Sequence, residues 1–156
     1  MVDVGSPYGG ARQMLRSLCP QSLLNWREAR FYGRHGATAL PAEITAATWG
    51  RFFDAYEPVH ALVAEQDGQL LGLTHYLFHR STTAIGPNCY LQDLFTDQAA
   101  RGKGVGRALI DGVYQRAELA GCLRVYWHTH ETNHAAMRLY DDVAERSGFV
   151  VYRKLF

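Results

Sequence analysis

The chain carries no surplus of charge: 16 lysines and arginines against 15 aspartates and glutamates leave +1 at neutral pH. A surface built to hold nucleic acid or an anionic membrane needs a basic excess, so neither is expected as a partner. No apolar run approaches the ~20 residues that span a bilayer. The N-terminus also lacks a charged start followed by an apolar stretch, so no secretory signal is expected. Cysteine is scarce: Cys19, Cys89 and Cys122 are odd in number, widely spaced and without a C-x-x-C pair. That pattern predicts reduced, inert thiols in a cytoplasmic protein rather than a disulfide frame. Repeats and low-complexity segments are absent too.

What is there is 47% hydrophobic residues over 156 positions, enough for one domain, 1–156, with a substantial core. Residues 1–14 are glycine-rich, unpatterned and expected to be loose. Leu15, Leu18, Leu23, Leu24 and Trp26 predict a first helix, interrupted at Pro20 and ended by Phe31-Tyr32-Gly33. Pro41 followed by Ile44, Trp49, Phe52 and Phe53 predicts a second over 42–56, closed before Pro58. Residues 60–65 and 70–78 are strand-like and flank Gln66-Asp67-Gly68, a hairpin signal. His75 and His79, four apart on that strand, lie about 13 Å from one another at ~3.3 Å per residue, too far for one metal ion.

A strand over 90–96 then leads to a helix over 104–120, with Val105, Leu109, Val113 and Ala117 as its buried stripe and Gly121 as its cap. A strand over 123–129 follows, then a helix begun by Thr132 or Asn133 and running to about Arg146, then a last strand over 149–156. The order makes a mixed α/β sheet, where ligands sit at the carboxyl ends of strands that part.

The segment with most chemistry is Cys89 to Arg107. The strand Tyr90-Leu91-Gln92-Asp93-Leu94-Phe95-Thr96 feeds Arg101-Gly102-Lys103-Gly104-Val105-Gly106-Arg107 at a helix start. Glycines allow close backbone approach, free N–H groups point outward, and the helix dipole favours a phosphate. The dinucleotide pattern G-x-G-x-x-G fails, because Arg107 or Leu109 stands where its third glycine belongs; the Walker pattern lacks its lysine after Gly106. Arg-x-x-Gly-x-Gly, 101 to 106, does fit.

With its flanks the segment resembles the GNAT family of acetyl-CoA-dependent N-acetyltransferases. Three pieces carry the likeness: Tyr-Leu-Gln-Asp-Leu-Phe-Thr at 90–96, the 101–106 loop, and Asn133-x-x-Ala136-x-x-Leu139-Tyr140. Val125-Tyr126-Trp127 and Thr132-Asn133-His134 are most similar to the polyamine (diamine) and the fungal histone/polyamine and D-amino-acid acetyltransferase subgroup. The resemblance spans about residues 60 to 156. It implies a GNAT-like mixed, mostly antiparallel central sheet flanked by about four helices, with 89–147 as the acetyl-CoA-binding and catalytic core. It further implies direct transfer of acetyl from acetyl-CoA to a primary amine of a small molecule, a polyamine, amino acid or similar, in a ternary complex without a metal. Homodimers are common in that family and would form here through the last strand.

The resemblance also distributes roles. Arg101, Gly102, Lys103, Gly104, Val105, Gly106 and Arg107 would hold the diphosphate, and Asn133 the cofactor arm. Main-chain N–H groups at a strand bulge near Leu94, Phe95 and Thr96 would polarise the thioester carbonyl. Tyr140, two helical turns from Asn133, would protonate the leaving thiolate. Tyr32, Trp127, His128 and Glu131 would line the acceptor site, together with Phe52 and Phe53.

An alkylammonium with a pKa of about 10 must lose a proton before it attacks. Where the polyamine enzymes carry Glu-Asp, this chain has Gln92-Asp93, and Gln92 can position water but cannot accept a proton. Asp93, Glu131, His128 and His130 stay open as the base. Three other readings remain: an acyl-CoA-binding sensor without turnover, a protein-lysine acetyltransferase, and a metal hydrolase built on His128, His130 and His134.

Overall fold

The computed structural model describes residues 14–17 and 41–156. They build a five-stranded sheet in the order β1 (Met14–Ser17), β2 (Val59–Gln66), β3 (Gln69–His79), β4 (Asn88–Thr96) and β5 (Val125–Tyr126). The first four strands run antiparallel and β5 joins β4 in parallel, the mixed, mostly antiparallel sheet that was expected. Three α-helices flank it among the described residues: α1 (Ala42–Arg51), α2 (Val105–Leu119) and α3 (His134–Val143). A 3₁₀ turn, Gln98–Ala100, precedes α2.

The β2–β3 hairpin follows from Asp67 and Gly68, whose φ values of 50° and 78° place both in the left-handed region that a two-residue turn of matching twist needs. The core lies on one face of the sheet. There Val105, Leu109, Ile110, Val113 and Ala117 of α2 pack on Leu62, Ala64, Tyr76, Cys89 and Leu91. Burying each large aliphatic side chain here contributes roughly 1.5–3 kcal/mol. Gly72 lets α2 come close: a Cβ on it would meet the Phe95 carbonyl oxygen at 2.5 Å and Leu109 and Val105 methyls at 3.1 Å.

The sheet has one irregularity in β4 that sets the geometry of its carboxyl end. Tyr76 faces Leu91, but His75 faces Asp93, so Gln92 is an extra residue, a bulge. Cys89 and Leu91 point to the α2 core before it, and Leu94 does so after it. Asp93 is thereby turned to the opposite face beside His75. The bulge expected near Leu94, Phe95 and Thr96 thus falls at Gln92; those three stay in register with Thr74, Leu73 and Gly72.

Four further expectations are corrected. Leu15 belongs to β1, paired with Ala64, rather than to a first helix, because the outer edge of β2 offers a ladder. The rest of that expected helix, Tyr32 included, lies outside the described residues, and of the stretch 1–14 expected to be loose only Met14 is described, as the first residue of β1. Strand 123–129 pairs only through Val125 and Tyr126, since β5 leaves β4 after Tyr90. The last helix stops at Val143, where Ala144 turns extended (φ −154°), short of Arg146. The last strand, 149–156, does not form. Its Phe149, Tyr152, Leu155 and Phe156 are exposed, and extended chain becomes a strand only when an edge pairs with it.

Candidate active site

Beyond Tyr90 the strands β4 and β5 separate, leaving 92–96 with an open edge at the carboxyl end of the sheet. The direction of its donors follows from the ladder. Phe78 N–H donates to Pro58 O at 3.1 Å, on the β2 side. Alternation puts the Thr74 N–H on that side too, so Leu94, opposite Thr74, turns its main-chain groups away from β3. Asp97 N–H, donating to Leu71 O at 2.8 Å, gives the same phase from the other end. Before the bulge the odd positions face β5, with Cys89 N–H on Arg124 O at 3.0 Å. After it the even ones do. The N–H groups of Leu94 and Thr96 therefore open into the gap that β5 has vacated.

The glycine loop sits at the end of that edge. Asp97 accepts from Ala99 N–H at 2.9 Å, and Arg101 Nε reaches Thr96 O at 3.4 Å, fixing the approach to the loop. Gly102 and Gly104 have φ of 73° and 81°, and a Cβ on either would meet no atom within 4 Å. Gly104 caps α2, whose first intrahelical bond is Ala108 N–H to Gly104 O, so the N–H groups of Val105, Gly106 and Arg107 lie outside the helical ladder. An open cradle of such donors at a helix N-terminus fits a diphosphate. Lys103 is exposed beside it. Arg107 is tied to Asp142 of α3 at 3.1 Å, and Gly106 lies under Leu139, so α3 is held against the first turns of α2.

On the opposite face of the sheet, Asp93 is clamped by consecutive residues of β3. Thr74 Oγ1 donates to its carbonyl at 2.8 Å, and His75 Nδ1 lies 3.1 Å from its Oδ2. Phe52, just after α1, stacks on the His75 ring with centroids 5.0 Å apart. Tyr90 and Tyr126 continue this face, 5.1 Å between rings, with the Tyr90 hydroxyl 3.1 Å from His128 Nδ1 and the Tyr126 hydroxyl 3.0 Å from His79 Nε2. Burial pushes the Tyr90 phenol up, helped by Tyr126 and by the Asp93 charge. Gln92 is exposed, as is Glu131 on the turn before α3. His130 is bonded to Thr132 at 2.8 Å. Among the described residues no group of three or more His, Cys, Asp or Glu could hold a metal ion.

Tyr140 lies half-buried on α3, against the α2 core and 5.3 Å from the Trp127 ring. Burial raises its pKa, so the phenol keeps its proton. Trp127 thus packs with Tyr140, on the core side. Asn133 caps α3 without a side-chain capping bond; its amide donates to Thr129 Oγ1 at 3.1 Å. Cys89 is fully buried and its thiol is pushed up to about 12, first by burial and then by Cys122. A thiol held so is no nucleophile.

The sequence marked Asp93 but missed His75 as its partner, having weighed that histidine only as a metal ligand. Period-2 alternation puts His75 on one face of β3, but which β4 residue it meets depends on the register across residues 80–87 and on the bulge. Neither is written locally.

Comparison with known proteins shows the family and the fold. The model of the acetyltransferase (GNAT) family matches residues 21–144. The D-amino-acid N-acetyltransferase HPA3 of Saccharomyces cerevisiae is 35% identical over 131 residues, covering 83% of this chain and 80% of that protein. The thialysine N-epsilon-acetyltransferase of Mus musculus is 31% identical over 60% of this chain and 62% of its own length. Among solved structures, the aminoglycoside N-acetyltransferase AAC(6')-Iy in complex with CoA superposes with a TM-score of 0.77 at 19% identity, covering 96% of this chain and 98% of that one.

Proposed function

The chain belongs to the acetyltransferase (GNAT) family and is an acetyl-CoA-dependent N-acetyltransferase, and we propose that it acetylates the primary amine of a small cationic molecule, a polyamine, an amino acid or similar. The observation that carries this reading is the pairing of two features across β4. On one side stand freed N–H groups at Leu94 and Thr96 above a glycine cradle. On the other stands a single carboxylate, Asp93, among the rings of Phe52, His75 and Tyr90. A carboxylate flanked by aromatic faces favours an organic cation. The named amine substrates of the relatives belong to this class.

Acetyl-CoA, when bound, supplies the activated acyl group as a thioester. Main-chain N–H groups of 102–106 bind its diphosphate, and Asn133 its arm. The N–H of Leu94, opened into the gap beside β4, would donate to the thioester carbonyl oxygen as it gains charge; a preorganised donor of this kind is worth about 10²–10³-fold in rate. Asp93 removes the ammonium proton, directly or through water. Tyr140 protonates the departing sulfur. By ordinary values its phenol is the weaker acid by about 1.5 units, roughly 2 kcal/mol. Tyr32, His128 and Glu131 complete the acceptor side in this proposal, while Trp127, expected there, packs on Tyr140 at the core side instead; Gln92 orders water at the mouth. No metal takes part.

In the same proposal residues 1–156 form one acetyltransferase domain whose core is 89–147, acting in the cytoplasm, where Cys89 and Cys122 stay free thiols. A homodimer forms through 149–156, whose apolar side chains stand exposed. The test is CoA release over a panel of polyamines, D- and L-amino acids, thialysine and aminoglycosides. Turnover on a small amine is expected; tight acetyl-CoA binding with turnover on none would favour the sensor reading instead.

A further inference from the structure

Helix α3 carries two of the groups that acetyl transfer asks for, Asn133 as its cap and Tyr140 in its final turn. It is ten residues long and none of them is fully buried. Its start is held by the turn before it: Asn133 N–H donates to His130 O at 2.9 Å and the Asn133 amide to Thr129 Oγ1 at 3.1 Å. At its end Ala144 turns extended, and residues 145–156 join no strand. Tyr140 thus stands in the last turn of a short helix, where ends fray unless an outside group caps them.

That outside group is Tyr114 of α2. The last bond within α3 runs from Ala144 N–H to Tyr140 O at 2.9 Å, so the Val143 carbonyl has no partner along the helix. The Tyr114 hydroxyl donates to it at 3.0 Å in a partly buried setting. The Tyr114 ring packs against the α2 core, as do Leu139, Tyr140 and Val143. Burial raises the Tyr114 phenol and the Asp111 charge adds to it, so the hydroxyl keeps the proton it donates. The other tie at this end, Arg107 to Asp142, is the weaker one. The Asp142 side chain is 66% exposed, and an ion pair in water is screened by salt.

We propose that Tyr114 is a positioning residue for acetyl transfer: its hydroxyl fastens the turn 140–143 to α2 and so holds the Tyr140 phenol where the leaving sulfur takes its proton. This rests on the acetyl-transfer reading above, with Tyr140 as the acid, and adds a residue that acts only through another. The two ends of α3 are separable. Asn133 lies ten residues from Val143, about 15 Å at 1.5 Å per residue, and Gly106 lies eight residues from Tyr114, about 12 Å. Loosening the last turn therefore leaves the grips on the cofactor in place and moves only the acid.

The experiment compares the wild type, Tyr114→Phe, Tyr140→Phe and the double variant, using the best amine of the panel. Phenylalanine keeps the ring in its packing and removes only the hydroxyl. Steady-state kinetics gives kcat and both KM values, calorimetry gives the acetyl-CoA Kd, and amide hydrogen exchange reads α3 without reference to activity. Tyr114→Phe should lower kcat about tenfold, less than the ~10²-fold that a 1 Å misplacement can cost, with both KM values and the Kd kept. The Ala144 amide, bonded to Tyr140 O, should exchange about fivefold faster, the equilibrium worth of one neutral hydrogen bond. The amides of Ala136 and Met137, bonded to Asn133 O at the other end, should keep their rates. The double variant should be no slower than Tyr140→Phe alone, as for residues acting as one unit.

An unchanged kcat, an unchanged Ala144 exchange rate, or losses that multiply in the double variant overturns the proposal. So does faster exchange along the whole of α3 with a lower Tm, which marks a structural role only. A wild type that turns over no amine overturns the acetyl-transfer reading as well. Normal wild-type turnover with a rate indifferent to the Tyr114 hydroxyl sinks this inference alone.

Discussion

Tyr140 and His60 show how the same physical cause, burial, produces opposite titration behaviour and opposite consequences. Burial raises the Tyr140 phenol, so it remains a proton donor through the neutral range. Tyr140→Phe should lower kcat by about 10²-fold or more while acetyl-CoA affinity is kept. Single-turnover kinetics beside calorimetry checks this, and an unchanged rate would take Tyr140 out of the mechanism. His60, packed between the Tyr76 and Phe78 rings at 5.2 and 5.1 Å, has its pKa lowered by burial. The unfolded chain therefore binds a proton at this position more readily than the folded one. Stability is full above about 6.5 and declines as pH falls from there toward the depressed folded-state value. Urea unfolding at pH 7.5 and 5.5 should show a smaller acid loss in His60→Phe than in the wild type.

At the scale of elements, the geometry that matters is where strands stop agreeing with their neighbours. The Gln92 bulge shifts β4 by one residue, and the departure of β5 after Tyr126 strips one edge of its partner. Together they free main-chain donors along one edge of β4 and turn a carboxylate onto an adjoining face. The loop between β4 and α2 depends on left-handed glycines with open space around them, so Gly104→Arg both strains the turn and fills the cradle. Calorimetry should detect no acetyl-CoA binding by this variant, with its circular dichroism unchanged; retained affinity would move the phosphate site elsewhere. Gly72→Ala tests the sheet–helix contact instead. Its methyl group would press on the Phe95 carbonyl and on Leu109 and Val105, and should cost about 1–3 kcal/mol of unfolding free energy in urea.

For the whole molecule, the imbalance is at the carboxyl end. Residues 149–156 alternate and cluster apolar side chains, with Phe149 83% and Tyr152 91% exposed. Exposed apolar surface of this kind marks an interaction site. In the proposed homodimer this segment is the contact. Sedimentation should therefore find a dimer for the full chain and a monomer when 149–156 are removed; a full chain that sediments as a monomer would defeat the dimer. Among the described residues no helix is long and apolar enough to cross a membrane.

The sequence alone determined what depends on short-range chemistry. Asp67-Gly68 specified the hairpin, the four-residue stripe from Val105 to Ala117 specified α2 and its buried face, and the glycines at 102 and 104 specified a left-handed turn at a helix start. Each of these needs only a few consecutive residues, because backbone preference and hydrophobic period act over one or two turns. Tertiary structure decided the rest. Leu15 became a strand because β2 had an unpaired edge, 149–156 did not become one because no edge met it, and His75 found Asp93 because a bulge slipped the register. Ladder partners and facing side chains are set by which segments meet, and segments meet to bury the common core, not to satisfy any preference written at a single position.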